Sequence, residues 1–339
     1  MSVYIIAEAG VNHNGDIGIA KKLANIAKKA GCNCVKFQTF SADRIVTKKA
    51  KKAEYQIENT RNNDSQYEML KKLELSCEHF KELKNYCHEI GIDFLSTPFD
   101  EEAADLLEEL GVAAYKIPSG EITNKSLLQY VARKKKKMLV STGMSTLDEV
   151  RSAVQWIEEA GNRNIILFHC TSNYPAPFES VNMEAMLTLK KEFEYPIGYS
   201  DHTKGSEIAL MAVAYGATVI EKHFTYDKNA EGPDHQASLE PEELQHMVDA
   251  IRHIELAKGD GKKEPTQGEL STREVARKSL VWSRKMSVGE VVKKEDLCCK
   301  RPGTGIQPQY MDKVIGCMVI KECDQDSLVN WDEVNGDGK

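Results

Sequence analysis

No stretch of this 339-residue chain approaches the roughly 18 consecutive apolar residues that a membrane-spanning helix requires. No basic or apolar leader with a cleavage site precedes the first strand-like run, which begins at Tyr4. The nine cysteines are odd in number and scattered, Cys32 and Cys34 flanking one residue and Cys298 adjoining Cys299, and they lack the paired CxxC spacing of a zinc site. Several fall in apolar runs, where cysteine behaves as a small hydrophobe, so free thiols and a cytoplasmic protein are expected. Positive charge is also short: 45 Lys and Arg face 52 Asp and Glu, a net charge of −7, which argues against a nucleic-acid or anionic-lipid surface. The one basic run, residues 133–137, ends a helical pattern, where the helix dipole favours cations. An anionic small substrate stays open, because it needs only local positive charge.

What is present is ordinary globular material, 41% hydrophobic and 29% charged, enough for a large core and a charged surface. Its organisation is a strict alternation. Strand-like runs occupy residues 4–10, 34–40, 93–99, 113–119, 138–144, 165–172, 196–201 and 218–225. Segments of helical period follow at 17–30, 77–90, 101–110, 126–134, 147–160, 183–193, 206–215 and 241–258. Thr146 with Glu149 makes a capping box, and Gly31, Gly91, Gly111, Gly161 and Gly216 follow helix ends. Eight strand–helix units predict an α/β fold, a (β/α)8 TIM barrel over residues 1–262, with a doubly wound open sheet as the alternative. The single long connection, residues 41–76, holds a second capping box at Ser65 and Glu68, which predicts a short extra helix; a loop of that length usually covers a site. A polar linker is expected over 263–276. A small β-rich unit follows over 277–339, with strands at 279–282, 314–320 and 328–331. Sixty residues is near the lower limit for an independent core, so this unit is expected to pack on something, such as a partner subunit.

Side chains two apart on a strand share a face, so Lys36 and Gln38 point together, as do Glu221 and His223. Every strand ends in polar groups: Glu8; Lys36 and Gln38; Ser96 and Thr97; Lys116 and Ser119; Ser141 and Thr142; His169, Thr171 and Ser172; Ser200, Asp201 and His202; Glu221 and His223. A lone Ser or Thr at a strand end is often a turn former, but all eight strands share the feature. Hydroxyls beside Lys36 and Lys116 suit a phosphate or carboxylate, unless the lysines only neutralise Glu8 and Glu221. His202 and His223, at the ends of adjacent strands, can reach one divalent ion, or each can be a hydrogen-bonded core residue or general acid. His169 is a possible third ligand or a structural residue. The segments around Tyr174 and Asp234 hold groups a sugar could use.

Read together, Ile-Ala-Glu8-Ala-Gly-Val-Asn-His-Asn-Gly, Val-Lys36-Phe-Gln38-Thr, Ser-Thr97-Pro-Phe, Tyr-Lys116-Ile-Pro-Ser119-Gly-Glu, Ser141-Thr-Gly-Met, His-Cys-Thr-Ser-Asn-Tyr174-Pro, Tyr-Ser200-Asp-His202, Glu221-Lys-His223-Phe-Thr and Gly-Pro-Asp234-His resemble the sialic acid synthase (NeuB-like) family. The tail, with Lys300-Arg301-Pro-Gly-Thr-Gly, resembles that family's antifreeze-like (SAF) domain, which crosses to the other subunit of a domain-swapped homodimer. The resemblance implies an enzyme that joins phosphoenolpyruvate to an N-acylated amino sugar with C–O cleavage and phosphate release. It implies His202 and His223 as ligands of Mn²⁺ or Mg²⁺. Lys36, Thr97, Lys116, Ser119, Ser141 and Ser200 would hold phosphoenolpyruvate, with Asn173 serving where some members carry Asn in place of Ser172. Glu8, Gln38, Tyr174, Asp234 and, from the neighbouring subunit, Arg301 would hold the sugar, with one of Asn59, Asn62 or Asn63. Glu8, and after it Glu221, are the catalytic candidates for orienting or deprotonating water. The expected acceptor is N-acetylmannosamine, giving N-acetylneuraminate; its 6-phosphate and 2,4-diacetamido-2,4,6-trideoxymannose, which gives N,N'-diacetyllegionaminate, are the alternatives. Two other readings remain, a Schiff-base aldolase using Lys116 or Lys36, and an ice- or carbohydrate-binding tail on a scaffold barrel.

Overall fold

Parallel strands covered on both faces need near-continuous apolar sequence, and the strand-like runs have it. In the computed structural model, which describes residues 2–60 and 64–336, they form β1 (Tyr4–Gly10), β2 (Cys34–Thr39), β3 (Asp93–Pro98), β4 (Ala114–Ile117), β5 (Lys137–Ser141), β6 (Ile165–Cys170), β7 (Ile197–Asp201) and β8 (Val219–His223). All pairings are parallel, in the order β3-β2-β1-β8-β7-β6-β5-β4, and β3 adjoins β4 to leave a nearly closed barrel. The pairing of β1 with β8 distinguishes this from the open sheet.

The outer helices are α1 (Ile17–Lys29), α5 (Cys77–Ile90), α6 (Glu101–Glu109), α7 (Lys125–Arg133), α8 (Leu147–Glu159), α9 (Glu184–Glu192), α10 (Glu207–Ala214) and α11 (Pro241–Ala257). Each starts where the backbone N–H groups of its first turn need acceptors. Asp16, Ser76, Asp100, Asn124 and Thr146 supply them. Alternation along the strands divides the core in two. Outward-facing Ile5, Val35, Tyr115, Val140, Leu167 and Ile220 pack against the helices, and Ile6, Leu95, Leu139, Phe168 and Val219 fill the barrel's interior. Polar side chains are thereby left to the C-terminal strand ends.

The β2–α5 connection carries three helices, α2 (Ala42–Ile45), α3 (Glu54–Thr60) and α4 (Gln66–Leu73), where the sequence predicts one. The Ser65–Glu68 capping box does start α4, and Met69 and Leu73 anchor it against Val11 and Phe40. No apolar period marks α3, which is fastened by contacts far away in the chain. Asn62 and Asn63 lie outside the described residues.

The chain divides into two units, Met1–Gly259 and Asp260–Lys339. In the second, the segment expected as a linker contains α12 (Gln267–Ala276), started by a Thr266–Glu269 capping box that the sequence reading passed over. Its β-rich part pairs β9 (Ser279–Trp282) with β10 (Leu297–Lys300), and β11 (Met318–Val319) with β12 (Val334–Asn335), around Leu280, Trp282, Met286, Val292, Val314 and Val319. The strand expected over 314–320 shrinks to two residues, because Met311–Val314 forms a short helix, α13, and Gly316 takes a positive φ of 90°. The strand expected over 328–331 is a single bridge from Leu328 to Val281. None of the nine cysteines is disulfide-bonded.

Candidate active site

Register brings the polar strand ends together. Glu8 sits opposite Lys36 on one side and His223 on the other, and Ser200 sits opposite Glu221. Lys36 Nζ lies 2.8 Å from Glu8 Oε2 and 3.7 Å from Glu221 Oε1, and donates to Thr97 Oγ1 at 3.1 Å. Lys116 Nζ lies 3.3 Å from Glu221 Oε1 and donates to Ser141 Oγ at 2.7 Å. Ser200 Oγ donates to Glu221 Oε1 at 3.1 Å, and Gln38 Nε2 donates to Glu8 Oε1 at 3.3 Å. Thus two lysines, two carboxylates and four more of the expected residues form one buried network.

The β1 end is shaped for this by Gly10. Its φ of +52° is a conformation other residues resist, and a Cβ there would come within 3.3 Å of Glu8 Oε1, 3.4 Å of Gln38 Nε2 and 3.5 Å of His223 Cε1. Across the barrel, Gly143 N–H donates to Ser119 Oγ at 3.0 Å, and a Cβ on Gly143 would collide with Ser172 Oγ and lie 2.8 Å from Ser119 Oγ. Ser172 therefore borders this hydroxyl cluster, whereas Asn173, expected at phosphoenolpyruvate, is exposed and turns its Oδ1 to the backbone N–H of Tyr174. The sequence offered no spacing argument to choose between them.

Burial and mutual charge set the protonation states. Burial, joined by Glu221 and opposed by Lys36, pushes the Glu8 carboxyl up to about 7. Burial also acts to raise Glu221, but Lys116 and Lys36 outweigh it and hold Glu221 below its ordinary value. Burial lowers Lys116 against the pull of Glu221, while on Lys36 the same penalty is outweighed by Glu221 and Glu8. The plainer reading, lysines neutralising carboxylates, is thus part of the picture. It leaves Glu221 Oε2 and His223 Nδ1 buried without a hydrogen-bond partner among the described residues.

His202 and His223 have ring centroids 5.4 Å apart. His202 Nδ1 is bonded to Thr171 O at 2.7 Å, which places its proton there and turns the lone pair of Nε2 outward, the arrangement usual for a metal-binding imidazole. Burial, then the charges of His202 and Lys36, hold His223 well below its ordinary value and so neutral. Burial acts to lower His202, but Cys170 and the Thr171 carbonyl outweigh it and hold His202 above its ordinary value, so a divalent ion shared with the neutral His223 would take the place of a proton on His202. Among the described residues no cluster of three or more His, Cys, Asp or Glu is arranged to hold such an ion. His169 is on the opposite strand face, its Nε2 bonded to Val181 O at 2.8 Å and its ring against Tyr199, which is a structural placement.

Tyr174 lies over the pair, its ring 4.2 Å from that of His202 and 5.7 Å from that of His223. Tyr55 of α3 stacks on Tyr174 at 5.2 Å, a residue the sequence reading missed because it lies in a polar stretch without period. Asp234 is buried, and burial pushes it up to about 6. Asn59 donates from Nδ2 to Pro233 O at 2.5 Å. Arg301 belongs to the second unit, exposed, with Nε donating to Ala276 O at 3.0 Å. Behind the site, on the helix-facing side, Lys222 Nζ pairs with Asp201 Oδ2 at 2.7 Å and donates to Thr203 O at 2.6 Å. A cavity of about 1110 Å³ opens at the other end of the barrel, lined by Tyr4, Cys34, Asp93, Leu139 and Val219. Among the described residues, none with a partnerless buried polar atom lines it.

Comparison with known proteins places the chain in a family. Residues 23–263 match the NeuB family model and residues 277–335 the SAF domain. The chain is 47% identical over 338 residues to the N,N'-diacetyllegionaminic acid synthase of Legionella pneumophila, covering 98% of this chain and 95% of that one. It is 49% identical over 327 residues to the N,N'-diacetyllegionaminic acid synthase of Campylobacter jejuni, covering 96% and 98%. The crystal structure of the N-acetylneuraminic acid synthetase of Leptospira borgpetersenii, in complex with citrate, superposes with a TM-score of 0.71 at 36% identity, covering 80% of this chain and 90% of that one. No described helix is long and apolar enough to cross a membrane. The chain belongs to the NeuB family, enzymes that condense phosphoenolpyruvate with an amino sugar, and it ends in a SAF domain.

Proposed function

We propose that this enzyme condenses phosphoenolpyruvate with 2,4-diacetamido-2,4,6-trideoxymannose to give N,N'-diacetyllegionaminate and phosphate. The choice of acceptor rests on one observation: the two relatives that match nearly end to end at 47% and 49% identity are both N,N'-diacetyllegionaminic acid synthases. N-acetylmannosamine, which the family motifs alone suggested, becomes the competing acceptor.

The residue roles below are those the family resemblance implies, and the buried network of lysines, carboxylates and hydroxyls supports the part that concerns phosphoenolpyruvate. Lys36, Lys116, Thr97, Ser119, Ser141 and Ser200 would bind the phosphate and carboxylate of phosphoenolpyruvate, exchanging contacts with Glu8 and Glu221 for contacts with the anion. Glu8, Gln38, Tyr174 and Asp234, with the partner subunit's Arg301 in a swapped dimer, would hold the open-chain sugar. A Mn²⁺ or Mg²⁺ ion held by His202 and His223 would supply Lewis acidity toward the sugar aldehyde. The methylene carbon of phosphoenolpyruvate attacks that aldehyde carbon and water adds to the phosphate-bearing carbon; one proton of that water ends on the former aldehyde oxygen, and the other leaves with phosphate as the ketone forms. Glu8, with a pKa near neutrality, takes the water's proton, and Lys36 and Lys116 stabilise phosphate as its C–O bond breaks.

The test is phosphate release from phosphoenolpyruvate with each sugar, with and without chelator. Chelator-sensitive release with the trideoxy sugar, faster than with N-acetylmannosamine, is expected. Faster release with N-acetylmannosamine overturns the acceptor assignment, release that survives chelation overturns the role of the metal, and release with neither sugar overturns both substrates.

A further inference from the structure

The long connection after β2 is fastened over the site. Lys52 Nζ donates to Thr60 Oγ1 at 2.9 Å, bracing α3 along its length. Asn59 ties the same helix to Pro233, next to Asp234. Between these ties Tyr55 lies with its ring 5.2 Å from that of Tyr174 and inclined by 29°. Its hydroxyl makes only a 3.3 Å contact with the neighbouring Gln56 Nε2, so the ring, not the oxygen, carries the interaction. Tyr174 needs such support. It stands four residues beyond the end of β6, in a loop that exposes Asn173 and Pro175 on either side, yet its ring sits against both imidazoles.

We propose that Tyr55 is a positioning residue: by stacking on Tyr174 it holds that ring over His202 and His223, making α3 the cover of the acceptor side of the site. The cover is a statement about the protein alone; its effect on the acceptor rests on the function proposed above. An aromatic side chain locked by a stacked neighbour keeps one rotamer, and a site wall that keeps one rotamer retains its substrate better. Tyr55 belongs to none of the buried apolar clusters, so its truncation spares the fold.

Two variants of the full-length chain test this, Tyr55→Ala and Tyr55→Phe. Tyr55→Ala is expected to raise the KM for the amino sugar about tenfold, the scale of one aromatic pair, with the KM for phosphoenolpyruvate within about twofold of the parent. Tyr55→Phe, which keeps the ring, should restore the parental value. An unchanged sugar KM, an equal rise in both KM values, or a failure of Phe to rescue overturns the proposal while leaving the proposed function standing. A readout free of catalysis accompanies this one: trypsin cleavage at Lys48, Lys49 and Lys51, just ahead of α3, should accelerate about tenfold in Tyr55→Ala and not in Tyr55→Phe. If the parent releases phosphate with neither sugar, the function fails and cleavage alone decides; parental cleavage in Tyr55→Ala then overturns the cover.

Discussion

Asp234 is 8% exposed, and the charge of His202 only partly offsets its burial. Burial lifts its pKa from 3.8 to about 6, so the folded chain binds this proton more tightly than the unfolded chain does. Below the unfolded value both states are protonated and Asp234 costs nothing. As pH rises from 3.8 toward about 6, ionisation favours the unfolded chain, and above that the whole penalty is present. A difference of about 2 units, at about 1.4 kcal/mol each, is roughly 3 kcal/mol. Asparagine has the same shape and does not ionise. Asp234→Asn in ligand-free, chelator-treated protein should therefore be more stabilising at pH 8 than at pH 4 by roughly 3 kcal/mol, or roughly 6–12 °C in Tm for a barrel of this size. Thermal or urea denaturation at the two pH values measures it. A change in stability that is the same at both refutes the reasoning, because it would mean that the carboxylate is solvated or paired in the folded state. The variant should also bind the sugar less well, since stability gained by removing a buried charge is the usual counterpart of a site built to use it.

The remaining predictions concern the metal pair, the proton carrier, the buried ion pair and the assembly. His202→Ala and His223→Ala should each weaken Mn²⁺ binding at least about tenfold by electron paramagnetic resonance titration, and unchanged binding removes the two histidines as ligands. Glu8→Gln should flatten the acid side of the rate profile, which in the parent rises as pH passes about 7 and the carboxylate forms; a retained acid limb assigns it to another group. Lys222→Met leaves Asp201 charged and wholly buried, and should cost ~3–5 kcal/mol in denaturation, with Asp201→Asn added to it recovering part of the loss; a cost under ~1 kcal/mol contradicts the pairing seen at 2.7 Å. Sedimentation should give twice the chain mass of 38.0 kDa, and a mass of 38.0 kDa removes the partner subunit's Arg301 from the site.

Much of this was legible because strands and helices print different periods on the chain. Two-residue spacing alone placed Lys36 with Gln38 and Glu221 with His223 on inward faces, and eight strand–helix units closed the count on a barrel. Register then did what sequence cannot: it set Glu8 between Lys36 and His223, and Ser200 against Glu221. The failures fall where structure is imposed from a distance. α3 has no apolar stripe, and Ile57 within it is largely exposed; it is held by Tyr174 and Pro233, more than 100 residues further along the chain. That Ser172 and not Asn173 borders Ser119 depends on how one loop turns above Gly143, and no local pattern records that turn. In the second unit, β10 reads Leu-Cys-Cys-Lys, too short for an alternation to show, and it is fixed by its pairing with β9.

β7 and β8 present buried charge on both faces, and the difference between those faces separates support from chemistry. On the helix side, Asp201 takes Lys222 on Oδ2 and both the backbone N–H and hydroxyl of Thr203 on Oδ1, while Lys222 gives a further bond to Thr203 O. Every strong demand there is met by the protein itself, which is how a buried charge serves a fold. On the barrel side, one residue away along each strand, Glu221 uses one oxygen on Ser200 and the two lysines, and among the described residues its other oxygen and His223 Nδ1 have no hydrogen-bond partner. The proposed function assigns that demand to substrate and metal, and the rigid pair behind it holds His202 and His223, each the residue after a partner in that pair, in place on the barrel side.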